Sequence, residues 1–189
     1  GIGGGSMVRV HGRRISDVGP RSAHIAGLGY PSYGELAPEA RLDLALVSPR
    51  PGDPADYVAI RVAGEQAPRL TYTTTEAANT LGLVQGHAKA TSPGAPRVAT
   101  WLAGELGTTA PELARRVLDR AAAKVNAVVS AFIDEYKLDR SLVSLVGGGG
   151  GAEVIVRAAA QALKLDVRIA DRAEVIRPRA RSKSASIFG

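Results

Sequence analysis

A run of five glycines, Gly147–Gly151, separates two apolar segments of different periodicity and restricts the fold more than any other feature. Before it, residues 141–146 (SLVSLV) form a short apolar run that predicts a strand. After it, residues 152–165 have the apolar spacing of a helix, and residues 166–170 (DVRIA) predict another strand. Strand, glycine turn, helix and strand in this order predict a βαβ unit, and therefore an α/β fold.

A second glycine run opens the chain as GIGGGS. Residues 7–11 and 13–18 follow it with alternating polarity and predict a β-hairpin. Two interpretations of GIGGGS are open: a flexible leader, or a turn whose backbone N–H groups bind a phosphate. Two interpretations of the later run, Gly147–Gly151, are also open: a structural turn, or an anion-binding turn at a helix N-terminus. Neither run has the spacing of a dinucleotide fingerprint or a Walker loop.

Two pairs of residues with capping-box spacing, Thr73 with Glu76 and Thr109 with Glu112, predict helix starts. The second start opens a long helix over 110–136 with one apolar face. That face comprises Val117, Leu118, Ala121, Val125, Val128, Val129, Phe132 and Ile133. The remaining predictions are a helical turn at 22–26, a strand at 42–49, a hairpin of 57–64 with 68–75, a loop at 85–97 and a helix at 97–106.

Composition limits the compartment and the partners. The chain has no cysteine, which excludes disulfides and thiolate metal sites. It has no apolar run of membrane-spanning length and no signal-peptide pattern, so we expect a soluble cytoplasmic protein that does not contact a membrane. The chain has a net charge of +6, and four basic residues in the acid-free segment 177–189 account for most of it. We therefore expect one domain over 1–176 and a basic, disordered tail over 177–189, and the charge does not favour nucleic-acid binding.

Several polar residues are candidates for chemistry. Arg21, Ser22 and His24 follow the first hairpin, where they could face a substrate or a phosphate. Equally, Ser22 could cap a turn while Arg21 lies at the surface. The histidines lack metal-ligand spacing, and Asp53 and Asp56 flank a proline in a turn, which favours structural roles. The sequence predicts no metal site and identifies no catalytic residue.

Five segments, in order, resemble the carboxyl-terminal half of the hydantoinase/5-oxoprolinase (hydantoinase A-like) family over roughly residues 1–176. They are GIGGGS, VGPRSAHIAGLGY, LVSPRPGDPADYVAI, TTTEAANTLGL and LVGGGGGAEVIVRAAAQALKLDVRIADRAEVI. The resemblance implies a ribonuclease-H-like lobe of the actin, sugar-kinase and heat-shock-chaperone ATPase superfamily, with a mixed sheet, flanking helices and ATP bound between two lobes. It matches Gly3, Gly4, Gly5 and Ser6 to the second phosphate loop, and Gly147, Gly148, Gly149, Gly150, Gly151 and Ala152 to the adenosine loop.

The resemblance also implies an activity, namely ATP-dependent opening of a cyclic amide such as a hydantoin or 5-oxoproline, with Mg²⁺ on the nucleotide. The superfamily's first phosphate loop is absent, and Gly1 replaces the acidic residue that often opens the second. We therefore expect a fragment, inactive alone, that works with an amino-terminal lobe and with a second hydantoinase-type subunit in some members. The alternative is a non-catalytic nucleotide-binding lobe of a chaperone-like or reactivating ATPase.

Overall fold

A four-stranded antiparallel sheet is central to the computed structural model, which describes residues 2–148 and 152–170. Its strands are β1 (Ser6–His11), β2 (Arg14–Ser22), β3 (Leu42–Val47) and β4 (Tyr57–Val62), in the order β2-β1-β4-β3. The predicted hairpin of β1 and β2 is confirmed, with Val8 opposite Val18. Its two-residue loop begins at Gly12, whose φ of 59° is a conformation that glycine adopts without strain.

Helices cover this sheet and connect it to a smaller one. They are α1 (Ala23–Ala26), α2 (Thr74–Thr80), α3 (Gly94–Glu105), α4 (Ala110–Glu135) and α5 (Ala152–Leu163), with short 3₁₀ helices at Gly86–Ala88 and Arg140–Leu142. Both predicted N-caps are confirmed: Thr73 and Glu76 form a capping box, and Thr109 accepts from the N–H of Glu112.

The predicted βαβ unit is also confirmed. Strand β5 (Ser144–Gly147) pairs in parallel with β6 (Asp166–Ile169), and α5 connects them. The fold is therefore α/β, with sheets flanked by helices. Within the described residues, however, the strands lie in one antiparallel and one parallel sheet rather than in a single mixed sheet.

One apolar cluster joins the antiparallel sheet to α3, α4 and α5, and its burial provides the main driving force for folding. Its members include Val8, Val58, Ile60, Tyr72, Leu102, Leu113, Val117 and Ile155. At its border, Asp17 of β2 accepts from Lys124 Nζ at 2.8 Å and Arg120 Nε at 3.2 Å, which attaches α4 to the sheet. Burial alone would raise the pKa of Asp17, but the hydrogen bonds from Lys124 and the Val18 backbone, together with the charges of Lys124 and Arg120, outweigh it and the pKa falls below its ordinary value.

The predicted strand at 68–75 is wrong. β4 pairs along its length with β3, and residues 68–75 form no ladder with the sheet but contact it through isolated bridges, Leu70 with Ile60 and Thr73 with Met7. The Thr71 hydroxyl donates to the carbonyl of Val58, and α2 already begins at Thr74. Alternating polarity in this segment therefore reflects a buried segment that leads directly into a helix.

The predicted core face of α4 is correct only in part. Val117 and Ala121 are fully buried and Ile133 is buried, whereas Val128 is 70% exposed and Phe132 is 54% exposed. A period of 3.6 residues identifies an apolar face but does not say which part of its length another element covers.

The predicted loop at 85–97 and the helix start at 97 also need correction. This segment contains a 3₁₀ helix, and α3 begins at Gly94. Pro96 fits there because the N–H that proline lacks has no partner in a first helical turn.

Candidate functional site

The first glycine run forms a closed turn at the start of β1. The N–H of Ser6 donates to the carbonyl of Gly3 at 3.0 Å, and the N–H of Gly3 donates to Ser6 Oγ at 2.9 Å. Ser6 is buried, whereas the three glycines are partly exposed. The turn is thus an ordered part of the sheet, which argues against a flexible leader.

The first turn of α2 holds this glycine turn from one side. Thr74 Oγ1 lies 2.6 and 2.7 Å from the carbonyl oxygens of Gly3 and Gly4, and its single hydroxyl hydrogen is shared between these two acceptors. The hydroxyl and the N–H of Thr75 donate to the Gly4 carbonyl at 2.8 and 2.9 Å. These contacts connect residues about seventy positions apart and fix the orientation of two successive peptide groups.

That orientation determines where the glycine N–H groups point. In a trans peptide the C=O of one residue and the N–H of the next point in opposite directions. Because the carbonyls of Gly3 and Gly4 face α2, the N–H groups of Gly4 and Gly5 face away from it. Among the described residues, neither N–H group has a protein acceptor. We call these two the outward N–H groups, in the sense that they face away from α2, and successive N–H groups without a protein acceptor in a turn are the type of arrangement that binds an anion.

A buried carboxyl group supports α2 beneath the turn. Glu76 is 1% exposed and accepts from the N–H of Thr73 at 3.1 Å, from the Thr73 hydroxyl at 2.5 Å and from the N–H of Ser32 at 3.3 Å. Burial raises the pKa of Glu76, and the hydrogen bonds from Thr73 and Ser32 oppose that rise. The side chain therefore anchors the helix start and is not accessible to a ligand.

Gly5 is the glycine of this turn that the structure requires for space. A Cβ atom there would lie 2.5 Å from the Tyr30 hydroxyl and 3.5 Å from Ser22 Cβ. At Gly3, by contrast, an added Cβ would meet nothing within 4 Å. Tyr30, Thr74 and Thr75 are thus parts of the site that the sequence did not reveal. The capping box predicted the helix start at Thr73 but not what that start would contact.

The three polar candidates that follow the hairpin, Arg21, Ser22 and His24, differ from one another in their surroundings. The carbonyl of Gly5 accepts from Ala23 N at 3.0 Å, so α1 packs beside the turn, and Ser22 caps α1 through the N–H of Ile25. Arg21 forms two hydrogen bonds of 2.8 Å with Asp53, which lower the pKa of that carboxyl. His24 is exposed.

Three residues of the second glycine run, Gly149, Gly150 and Gly151, lie outside the described residues. The tail at 177–189 also lies outside them. Gly147 ends β5 and is buried, Gly148 is exposed, and Ala152 begins α5. Val154 and Ile155 of α5 belong to the same apolar cluster as Ile2, which directly precedes the first glycine turn. The residue before the first glycine turn and the first turn of α5 therefore pack into one shared core.

Asp53 and Asp56 both pair with arginines. Asp56 directly precedes β4 and forms two hydrogen bonds of 2.8 Å with Arg9 of β1, in addition to the pair of Asp53 with Arg21. In the part of the chain that the structure describes, there is no group of three or more potential metal ligands from His, Cys, Asp and Glu. No helix in that part is long and apolar enough to cross a membrane.

Comparison with protein-family models matches residues 1–178 to the family described as Hydantoinase/oxoprolinase. The chain belongs to this family. Searches of curated proteins and of solved structures gave no match. Family membership makes the chain a relative of cyclic-amide hydrolases, and any role for the glycine turn has to be argued from its geometry.

Proposed function

We propose that this chain supplies one side of the ATP site in an ATP-dependent cyclic-amide hydrolase that acts on a hydantoin or on 5-oxoproline. Membership of the hydantoinase/oxoprolinase family supports the reaction class. The observation that carries the nucleotide role is the pair of outward N–H groups at Gly4 and Gly5, whose carbonyl partners are held by Thr74 and Thr75. The proposal includes a ribonuclease-H-like lobe and an amino-terminal lobe that completes the cleft.

In this proposal each residue of the turn has a defined role. The N–H groups of Gly4 and Gly5 donate to one phosphate group, and Ser6 closes the turn. The segment Gly147–Gly151, with Ala152, contacts the adenosine. Bound ATP supplies the phosphoryl group that activates an otherwise unreactive amide carbonyl. A second hydantoinase-type subunit is part of the proposal as a partner.

The described residues fit the phosphate better than they fit a directly bound Mg²⁺. Mg²⁺ prefers carboxylate oxygens and waters, and the carboxyl group beneath the turn, Glu76, is buried and hydrogen-bonded. We therefore propose that Mg²⁺ enters with the nucleotide, coordinated by phosphate oxygens and water.

A pair of glycine substitutions tests the nucleotide role. Binding of MgATP to the chain is measured by calorimetric titration for wild type, Gly5→Ala and Gly3→Ala. Gly5→Ala should weaken binding by about tenfold or more, because the new Cβ would meet the Tyr30 hydroxyl at 2.5 Å. Gly3→Ala, where nothing lies within 4 Å, should bind within about twofold of wild type. Absence of saturable MgATP binding by wild type would contradict the proposal.

One observation favours a second candidate, a non-catalytic nucleotide-binding lobe. Beside the turn, Glu76 is buried and hydrogen-bonded, so this carboxyl group is not positioned to activate water. Both candidates predict MgATP binding. Assays of ATP-dependent ring opening of hydantoin and of 5-oxoproline, with the proposed amino-terminal lobe present, distinguish them. Turnover supports the hydrolase, whereas MgATP binding without turnover of either compound supports the second candidate.

A further inference from the structure

The hydroxyl of Tyr30 lies beside the glycine turn without a role in the fold. Its oxygen is 2.5 Å from the position of a Cβ at Gly5. The ring is half-buried, and its hydroxyl has no hydrogen-bond partner among the described residues. The other tyrosines nearby are engaged: Tyr33 donates to the carbonyl of Ala88 at 2.9 Å, and Tyr72 bonds with Thr80 at 3.1 Å.

Covalent geometry limits the distance from this hydroxyl to the outward N–H of Gly5. Within one residue, N and Cβ are about 2.5 Å apart, so the Tyr30 oxygen lies within about 5 Å of Gly5 N. A single phosphate group hydrogen-bonded to that N–H can present a second oxygen to a donor at this distance.

The phenol is also in the correct protonation state for a donor. Burial raises the pKa of Tyr30, and the nearby Glu76 charge raises it further. At neutral pH the group therefore carries its proton and can donate to an anion, whereas it would repel that anion if it were ionised.

We propose that Tyr30 is a phosphate-binding residue that donates its hydroxyl hydrogen to the anion bound by the N–H groups of Gly4 and Gly5. This inference rests on the proposed nucleotide site and extends it to a side chain outside both glycine runs. It also explains why residue 5 is glycine: any larger residue would occupy the space between the turn and the hydroxyl.

The first test compares two conservative substitutions. Tyr30→Phe removes the hydroxyl beside the turn, and Tyr33→Phe removes one from a neighbouring ring 6.0 Å away that contacts a backbone carbonyl instead. A hydrogen bond to a charged group is worth roughly tenfold or more in affinity. Tyr30→Phe should therefore weaken MgATP binding by about tenfold, and Tyr33→Phe should leave it within about twofold. Thermal unfolding verifies that both variants are folded.

The second test is a double-mutant cycle with Gly5→Ala. Once the hydroxyl is removed, the nearest remaining ring atom, Tyr30 Cζ, lies 3.6 Å from the new Cβ, an ordinary contact. Gly5→Ala should therefore cost much less MgATP affinity in the Tyr30→Phe background than in wild type.

The outcomes separate the two proposals. Wild-type affinity in Tyr30→Phe, or additive losses in the cycle, would overturn the role of Tyr30 while leaving the nucleotide site intact. Failure of wild type to bind MgATP would overturn both. Weaker binding by Tyr30→Phe together with non-additive losses in the cycle supports the inference.

Discussion

The two glycine runs share a composition and differ in what surrounds them. At Gly3–Ser6 the carbonyl oxygens are fixed by threonine hydroxyls of α2, and the N–H groups of Gly4 and Gly5 point outward. At Gly147 the glycine is buried, and a Cβ would lie 3.0 Å from Ile169 Cδ1 and 3.3 Å from Val156. The first run is thus arranged around open N–H groups, whereas the start of the second lets a helix and a strand pack closely. A glycine run alone does not distinguish these cases.

The largest effect should come from Gly147→Ala, which tests the packing role directly. The new methyl group must displace Ile169 or Val156, and overpacking of this kind costs about 1–3 kcal/mol. Urea unfolding measures the loss. Gly104→Ala is the control, because its Cβ would meet nothing within 4 Å and alanine favours the helix α3. Equal stability of Gly147→Ala and wild type would contradict the comparison.

A smaller loss, in binding more than in stability, should follow from Thr74→Val. Valine matches threonine in shape but removes one donor from the carbonyls of Gly3 and Gly4. Those carbonyls keep only Ser6 N and the Thr75 donors, so the outward N–H groups are held less firmly. We expect MgATP affinity to fall by about tenfold. Thr74→Ser retains the hydroxyl and should restore most of the affinity. If serine and valine bind equally, the hydroxyl does not position the turn.

The smallest effect concerns pH and the anchor beneath the first run. Because burial raises the folded-state pKa of Glu76, the folded state holds this proton more tightly than the unfolded state. The free energy of unfolding should therefore decrease as pH rises from the unfolded-state pKa, near about 4.3, through the higher folded-state pKa. Glu76→Gln should remove this slope from difference curves of stability against pH.

Glu112 provides the control of opposite sign. The hydrogen bond from Thr108, followed by the charge of Arg116, lowers its pKa, so its contribution is present above the unfolded-state pKa and is lost as pH falls through the folded-state pKa. Glu112→Gln should therefore remove stability at neutral pH only. Slopes of the same sign from both variants would show that the folded-state pKa of Glu76 is not raised above its unfolded-state value.

Local chemistry made much of the fold predictable. The hairpin loop at Gly12, the caps at Thr73 and Thr109 and the order of strand, helix and strand in the βαβ unit all depend on residues within a few positions of one another. The strand at 68–75 could not be excluded in this way, because the pairing of β4 with β3 depends on a partner distant in sequence. The exposure of Val128 and Phe132 likewise depends on which elements cover α4.

The candidate site was predictable to a similar degree. The sequence identified the glycines of the first turn and, separately, the start of α2 at Thr73. It did not show that Thr74 and Thr75 bond to those glycines or that Tyr30 lies over Gly5, because these contacts form only in the folded chain. Arg21 illustrates the reverse: an arginine suited to phosphate is paired with Asp53, a residue 32 positions away.

The bonds from Thr74 to the glycine turn span 70 and 71 residues, which has a consequence for the order of folding. Closing so long a loop costs entropy before any contact compensates for it. The glycine turn is synthesised before α2, and it cannot acquire its final shape until α2 has also been synthesised. The shape of the glycine turn is therefore set by a long-range contact and does not form locally.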